Sequence, residues 1–212
     1  MIIEDDIKLD YSDVLIRPKR STLTSRFDVE MERTYTFYHS RKEWTGIPVM
    51  ASNMDTTGTF EMHNELSKHG MTTCIARHYN KDGKKWKQAE RKDKLCVMSG
   101  ISNNELLELS GVVTTFPDVA FVGLDVANGY TINFIDAIKH LRENLLPDAT
   151  IIAGNVVTAD MVTELIVAGV DIVKVGIGSG SVCTTRIKTG IGYPQLSSVI
   201  ECADAAHGLG GH

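Results

Sequence analysis

The chain has 212 residues, with 22 Lys and Arg against 27 Asp and Glu and a formal net charge of −5. A charged fraction of 23% and a hydrophobic fraction of 42% suit a folded globular chain with a sizeable core and exclude a disordered one. The mild acidity argues against a nucleic-acid partner, no apolar run approaches the ~18 residues a membrane span needs, and the acidic start Met1-Ile2-Ile3-Glu4-Asp5-Asp6 is unlike a signal peptide.

With residues 1–45 set aside as a segment preceding the first strand of the main fold, short apolar runs alternate with stretches of helical periodicity. The reading is strand Ile47–Ala51, helix Phe60–His69, strand Met71–Ile75, helix Gly83–Arg91, strand Leu95–Met98 and helix Asn103–Val113. It continues with strand Val119–Val126, helix Thr131–Leu145, strand Thr150–Ala153, helix Ala159–Ala168, strand Ile172–Val175 and helix Gln195–Ala206. Met161, Leu165 and Ala168 share one helical face, and Ile132, Ile135, Ile138 and Leu141 recur at every third position, before Pro147. The basic tract Lys81, Lys84, Lys85, Lys87, Arg91, Lys92, Lys94, broken by Asp82, Glu90 and Asp93, reads as a solvated helix face. Cys74, Cys96, Cys183 and Cys202 contain no C-x-x-C pair, as expected for reduced thiols in a cytoplasmic protein.

Regular strand–helix repetition, with strands apolar throughout, is the signature of parallel βαβ units covered on both faces. The single-period winding favours an α/β fold of the (β/α)8 TIM-barrel type over an open doubly wound sheet. Such a barrel takes ~250 residues, whereas this chain ends near the sixth unit. The expectation is therefore one catalytic barrel domain over residues 1–212, truncated after about the sixth βα unit and part of a longer protein. Gly208-Leu209-Gly210-Gly211-His212 reads as a loop leading to a seventh strand.

In parallel α/β folds the reactive groups lie beyond the carboxyl ends of the strands. Those ends here are Ala51-Ser52-Asn53-Met54-Asp55-Thr56, Arg77-His78-Tyr79, Asp125-Val126-Ala127-Asn128-Gly129, Gly154-Asn155-Val156 and Gly176-Ile177-Gly178-Ser179-Gly180-Ser181-Val182-Cys183-Thr184-Thr185-Arg186. Glycines 176, 178 and 180 allow close backbone approach to a phosphate or a monovalent cation. Cys183 follows at once, with Thr185, Arg186 and Lys188 near it. A thiol beside cationic groups on an accessible loop is a candidate nucleophile of lowered pKa; Cys74, Cys96 and Cys202 read instead as small buried hydrophobes. A dinucleotide fingerprint fails because Ser181 stands where a third glycine belongs and no helix is expected directly after the glycines. The seven histidines lack zinc-ligand spacing. His78, at a strand end, reads equally as structural or catalytic, and Asp125 and Asn155 are expected to meet over the barrel mouth.

These residues carry a resemblance. Lys174-Val175-Gly176-Ile177-Gly178-Ser179-Gly180-Ser181-Val182-Cys183-Thr184-Thr185-Arg186 resembles the catalytic loop of the IMP dehydrogenase/GMP reductase family. Lys188–Gln195, Glu201–Gly208, Leu124–Tyr130, Ala153–Thr158 and Asp10–Ser21 resemble its GMP reductase branch, so the likeness runs along essentially the whole chain. It implies a homotetrameric barrel that converts GMP to IMP and ammonia with NADPH through a cysteine thioimidate, in purine salvage. It further implies Cys183 as nucleophile, Thr185 handling the amino group and its proton, and Asp125 and Asn155 lining the reaction centre. A monovalent cation (K+) would be held by carbonyls of Gly178, Gly180 and Cys183 together with Arg186. Cofactor contacts would come from Ser25 and Arg26 of a neighbouring subunit and from Arg77, Asp125, Val126, Ala127, Ile177 and Gly178. Arg77 stands where the branch usually has lysine, and an arginine cannot donate a proton as an ammonium does. The family's phosphate loops, flap and catalytic glutamate lie beyond His212, so these residues alone are expected to be inactive.

Three other readings stay open on sequence alone. One is IMP dehydrogenase, disfavoured because Arg77 to Trp86 leaves no room for that branch's regulatory insertion. Another is a catalytically incomplete nucleotide-binding or assembly fragment. The third is some other thiol-dependent barrel enzyme acting on a phosphorylated substrate.

Overall fold

The computed structural model describes residues 5–212, so Met1 to Glu4 of the acidic start lie outside the described residues. The amino-terminal segment contains a feature the sequence reading passed over. Strands β1 (Arg33–Thr36) and β2 (Glu43–Gly46) form an antiparallel hairpin. Six strands then follow as β3 (Met50–Ala51), β4 (Thr72–Ile75), β5 (Leu95–Ser99), β6 (Phe121–Asp125), β7 (Ile151–Val156) and β8 (Ile172–Val175). They pair in parallel in strict chain order from β3 to β8. The sheet curls into part of a barrel, the architecture of a (β/α)8 barrel truncated after its sixth strand.

Helices α1 (Phe60–Leu66), α2 (Gly83–Gln88), α3 (Asn103–Thr115), α4 (Ile132–His140) and α5 (Ala159–Val167) connect successive strands, while α6 (Thr184–Thr189) and α7 (Gln195–Gly208) follow β8. Local chemistry sets the helix starts. Asp82 and Thr59 accept amides three residues on at the heads of α2 and α1, and Ser102 and Glu105 form a reciprocal capping box at α3. Gly70, at φ 72, stops the turn after α1.

Two apolar layers result. Between sheet and helices lie Leu95, Val97, Leu106, Leu109, Phe134, Ile138, Ile151, Val162 and Leu165. Inside the curl, Cys74, Cys96, Met98, Phe121 and Ile152 meet Phe37 and Trp44 of the hairpin region. Phe121 opens β6, so the hairpin covers the amino ends of the strands and leaves the carboxyl ends free.

Several expectations change. The first barrel strand shrinks to Met50–Ala51 because Pro48 has no amide to give the ladder. β7 runs on through Asn155 to Val156, with a register irregularity at Gly154/Val156. Of the residues that recur at every third position, Ile132 is 79% exposed while Ile135, Ile138 and Leu141 are buried, because steps of three drift around a helix of 3.6 residues per turn. The basic tract is not one solvated face. α2 ends at Gln88, and Lys94 is buried, its ammonium held by the Thr45 carbonyl and lying 4.4 Å from the centre of the Trp44 ring. At the carboxyl end, His212 exchanges backbone hydrogen bonds with Asp171 and Val173 beside β8.

Candidate active site

The carboxyl ends of β3 to β6 open on a cleft of about 470 Å³. Arg77, Asp125, Val126 and Ala127 line it together with Asn53, Ser99 and Glu105. Four of the sequence-predicted cofactor residues thus share one concave surface. Arg77 donates to Glu105 at 3.0 Å, and Glu105 in turn accepts the Ser102 hydroxyl and amide. The Ser102 hydroxyl is the main reason that the Glu105 carboxyl lies below its usual range, with Arg77 adding to it.

Asp125 does not meet Asn155 over the mouth. Its two oxygens accept from Asn53 Nδ2 at 2.8 Å and Lys174 Nζ at 2.5 Å, and Lys174 also donates to Asn53 Oδ1 at 3.0 Å. Asn155 instead turns its amide to the Gly176 carbonyl at 3.0 Å, because β7 continues past it and points it toward β8. Backbone bonds interlock the neighbouring loops: Asn155 donates to Val126, and Gly129 donates to Asn155. A Cβ on Gly129 would come within 2.7 Å of the Asn155 carbonyl oxygen, so only glycine fits there.

Asn155 therefore serves the loop that carries the cysteine. Gly176 leaves β8 and Gln195 at the head of α7 donates to Val175 at 3.0 Å. Tyr193 donates its amide to Ile177. Gly178, at φ 80, packs against Gly192 and Ile191 so closely that a Cβ would lie 2.8 Å from Gly192 Cα and 2.9 Å from the Ile191 carbonyl oxygen. Residues 193–195 are themselves clipped to the amino-terminal segment. Asp10 accepts the Gln195 amide at 2.5 Å, and Glu201 accepts both Lys8 and the Tyr193 hydroxyl.

No helix starts directly after the glycines, as the sequence suggests, but α6 begins four residues past Gly180, at Thr184, and Cys183 sits in its N-cap position. The thiol is half-exposed and its pKa is lowered. The Arg186 amide is the main cause; burial opposes it, and the Thr185 amide, the Thr185 hydroxyl and the Gly178 amide add to the lowering. None closes to a full capping bond. The direction is the one expected, but the cause is oriented backbone N–H groups at a helix start and not the cationic side chains of Arg186 and Lys188. Cys74, Cys96 and Cys202 are buried, and burial pushes the thiols of Cys96 and Cys202 up.

The remaining candidates separate. Ser25 and Arg26 are exposed and lie in a short turn closed by Ser25 and Asp28, away from the cleft lining. His78 pairs loosely with Asp55 at 3.5 Å. Among the described residues no cluster of three or more His, Cys, Asp or Glu side chains is placed to hold a metal, and no helix is long and apolar enough to cross a membrane. Carbonyls of Gly180, Cys183 and Arg186 each accept one local amide and keep a second lone pair.

Lys174 and Asn53 were the residues missed. The signal was present for Lys174 as the one charge in the strand Ile172-Val173-Lys174-Val175, where an unpaired ammonium would be costly. Asn53 stood at a strand end without a role, since its partners lie 72 and 121 residues away.

Comparison with known proteins matches residues 8–211 to the IMP dehydrogenase / GMP reductase domain. The chain is 55% identical to a GMP reductase of Caenorhabditis elegans, over 99% of this chain and 60% of the relative. It is 53% identical to human GMP reductase 1, over 99% and 61% respectively. Among solved structures, inosine 5′-monophosphate dehydrogenase from Legionella pneumophila superposes with a TM-score of 0.81 at 32% identity, covering 93% of this chain and 59% of that one. The chain thus spans about 60% of the length of these curated relatives. With the fold, the cysteine loop and the family match in agreement, the chain belongs to the IMP dehydrogenase/GMP reductase family.

Proposed function

We propose that the protein reduces GMP to IMP with release of ammonia, using NADPH and a covalent bond to Cys183, in purine salvage, and that residues 1–212 contribute to a single catalytic barrel domain. The observation that carries this reading is the Cys183 thiol, half-exposed beyond β8 and shifted toward thiolate by the amides at the start of α6. High identity to proteins named GMP reductase supports the substrate assignment.

In this reading the Cys183 sulfur attacks C2 of the guanine ring. The bond from C2 to the exocyclic nitrogen breaks, and that nitrogen takes up a proton and departs as ammonia, leaving a thioimidate on Cys183. Thr185, whose hydroxyl also favours the thiolate, handles the amino group and its proton. NADPH, which the residues of the cleft beside Asp125 would hold, would supply the hydride that C2 takes up. The carbon–sulfur bond then breaks and Cys183 leaves as thiolate, a departure made easier by the lowered pKa. Asp125 and Asn155 orient the reaction centre, Asn155 by holding the carbonyl of Gly176.

The residues present fit both accessory groups. The exposed Arg77 guanidinium and the polar cleft beside Asp125, Val126 and Ala127 suit part of an anionic dinucleotide, with Ile177 and Gly178 extending the contact and Ser25 and Arg26 serving a neighbouring subunit of a homotetramer. The second lone pairs of the loop carbonyls suit a K+ ion held by Gly178, Gly180, Cys183 and Arg186. The cytoplasm is the expected compartment.

The test is NADPH oxidation by the natural-length protein. The expected result is oxidation only when GMP is present, with one ammonia per NADPH, and none in Cys183→Ala. NAD+ reduction with IMP would favour IMP dehydrogenase, and GMP binding without turnover would favour a binding fragment.

A further inference from the structure

We propose that Lys174 is a positioning residue that fixes the carboxylate of Asp125 in the barrel mouth, acting together with Asn53. The proposal rests on the reading of Asp125 as a reaction-centre residue. Asn53 follows β3, Asp125 ends β6 and Lys174 lies in β8, so the three side chains converge from the two edges and the middle of the curled sheet. They close a ring of three bonds. Lys174 Nζ donates to Asp125 Oδ1 at 2.5 Å and to Asn53 Oδ1 at 3.0 Å, while Asn53 Nδ2 donates to Asp125 Oδ2 at 2.8 Å.

The ring admits one arrangement. An ammonium has no lone pair to offer and an ionised carboxylate has no proton, so the Asn53 amide can face them only with its oxygen on Lys174 and its nitrogen on Asp125. Both carboxylate oxygens are held from different directions, which removes rotation about the terminal torsion. Each oxygen keeps further acceptor capacity for a ligand. Asn53 and Asp125 line the cleft, whereas Lys174 is absent from the lining. Lys174 thus acts through Asp125. At side-chain exposures of 27% and 31% the pair is shielded well beyond an ordinary surface ion pair, whose geometry would be loose.

The test uses the natural-length protein and the variants Lys174→Met, Lys174→Arg, Asp125→Asn and the Lys174→Met/Asp125→Asn double variant. A carboxylate freed to rotate misplaces its ligand contacts, and losses of order 10²-fold accompany such misplacement. Lys174→Met is expected to lower kcat about 10² fold with the KM for GMP within about threefold, and Lys174→Arg to recover most of the loss. In the Asp125→Asn background the same Lys174→Met change is expected to cost less than about threefold. Additive losses would overturn the proposal, since a purely architectural lysine acts independently of Asp125. Crystal structures of the wild type and of Lys174→Met decide the point without turnover: a carboxylate turned away from Asn53 supports the proposal, and an unmoved one overturns it. If the wild type fails to oxidise NADPH with GMP, the functional reading fails, and the two structures still decide the role of Lys174.

Discussion

At Cys183 the backbone carries out the activation that charged side chains were expected to supply. Amides of Arg186, Thr185 and Gly178 favour the thiolate, and the other three cysteines are buried. Iodoacetamide should therefore label Cys183 first in the folded protein. Its rate should rise with pH around a midpoint below the ~8.5 of a free thiol, because the thiolate form persists to lower pH; peptide mass spectrometry against pH checks both points. A second residue-scale feature is structural. Asp171 is fully buried and accepts the amides of His39, Ser40 and Ile151 as well as Arg142 Nη2. Arg142 also serves the carbonyls of Gly169, Pro147 and Ala149. Arg142→Ala removes the counter-charge of a buried carboxylate and a donor from the part-buried carbonyls of Gly169 and Ala149, and should cost about 3–5 kcal/mol in denaturant unfolding. A loss under ~1 kcal/mol would mean that the network behaves like a surface ion pair.

Among the elements, the cysteine loop is held most tightly where its glycines touch backbone. Gly178→Ala puts a Cβ against Gly192 and Ile191 in a left-handed conformation. Because the obstacles are backbone atoms, the loop itself must shift. Turnover should fall at least ~10-fold, with a smaller loss of stability than in Arg142→Ala; kinetics and melting on the same sample separate the two effects. The strands were legible because both faces are covered and their apolar runs are continuous. The hairpin was not: β1 and β2 are four residues each, mostly exposed on β1, and their connection turns at Arg41 with φ 58, not at an Asn-Gly or Asp-Gly signal. Helix α6 was hidden by its composition, Thr-Thr-Arg-Ile-Lys-Thr, in which β-branched residues disfavour a helix until tertiary contacts impose one.

Across the whole molecule, local periodicity reveals the winding but not the curl. Each βα unit adds its strand beside the last, so chain order alone gives the sheet order β3 to β8. The closing contacts, Lys174 to Asn53 across the mouth and Phe37 and Trp44 beneath Phe121, join residues far apart in sequence and leave no periodic trace. The same limit separates the legible from the illegible parts of the site. Cys183, Thr185, Asp125 and Arg77 stand out at strand ends, whereas the partners of Asp125, Asn53 beyond β3 and Lys174 on β8, lie far off in the sequence. Family membership rests on the match over residues 8–211, and the chemistry rests on one bond. Natural-length protein mixed with GMP in the absence of NADPH, quenched in acid and digested, reads that bond by peptide mass spectrometry. The peptide containing Cys183 should carry GMP less ammonia, and the adduct should disappear when NADPH is added before quenching. An unmodified Cys183 peptide, in a sample that still turns over GMP, would contradict covalent catalysis at this residue.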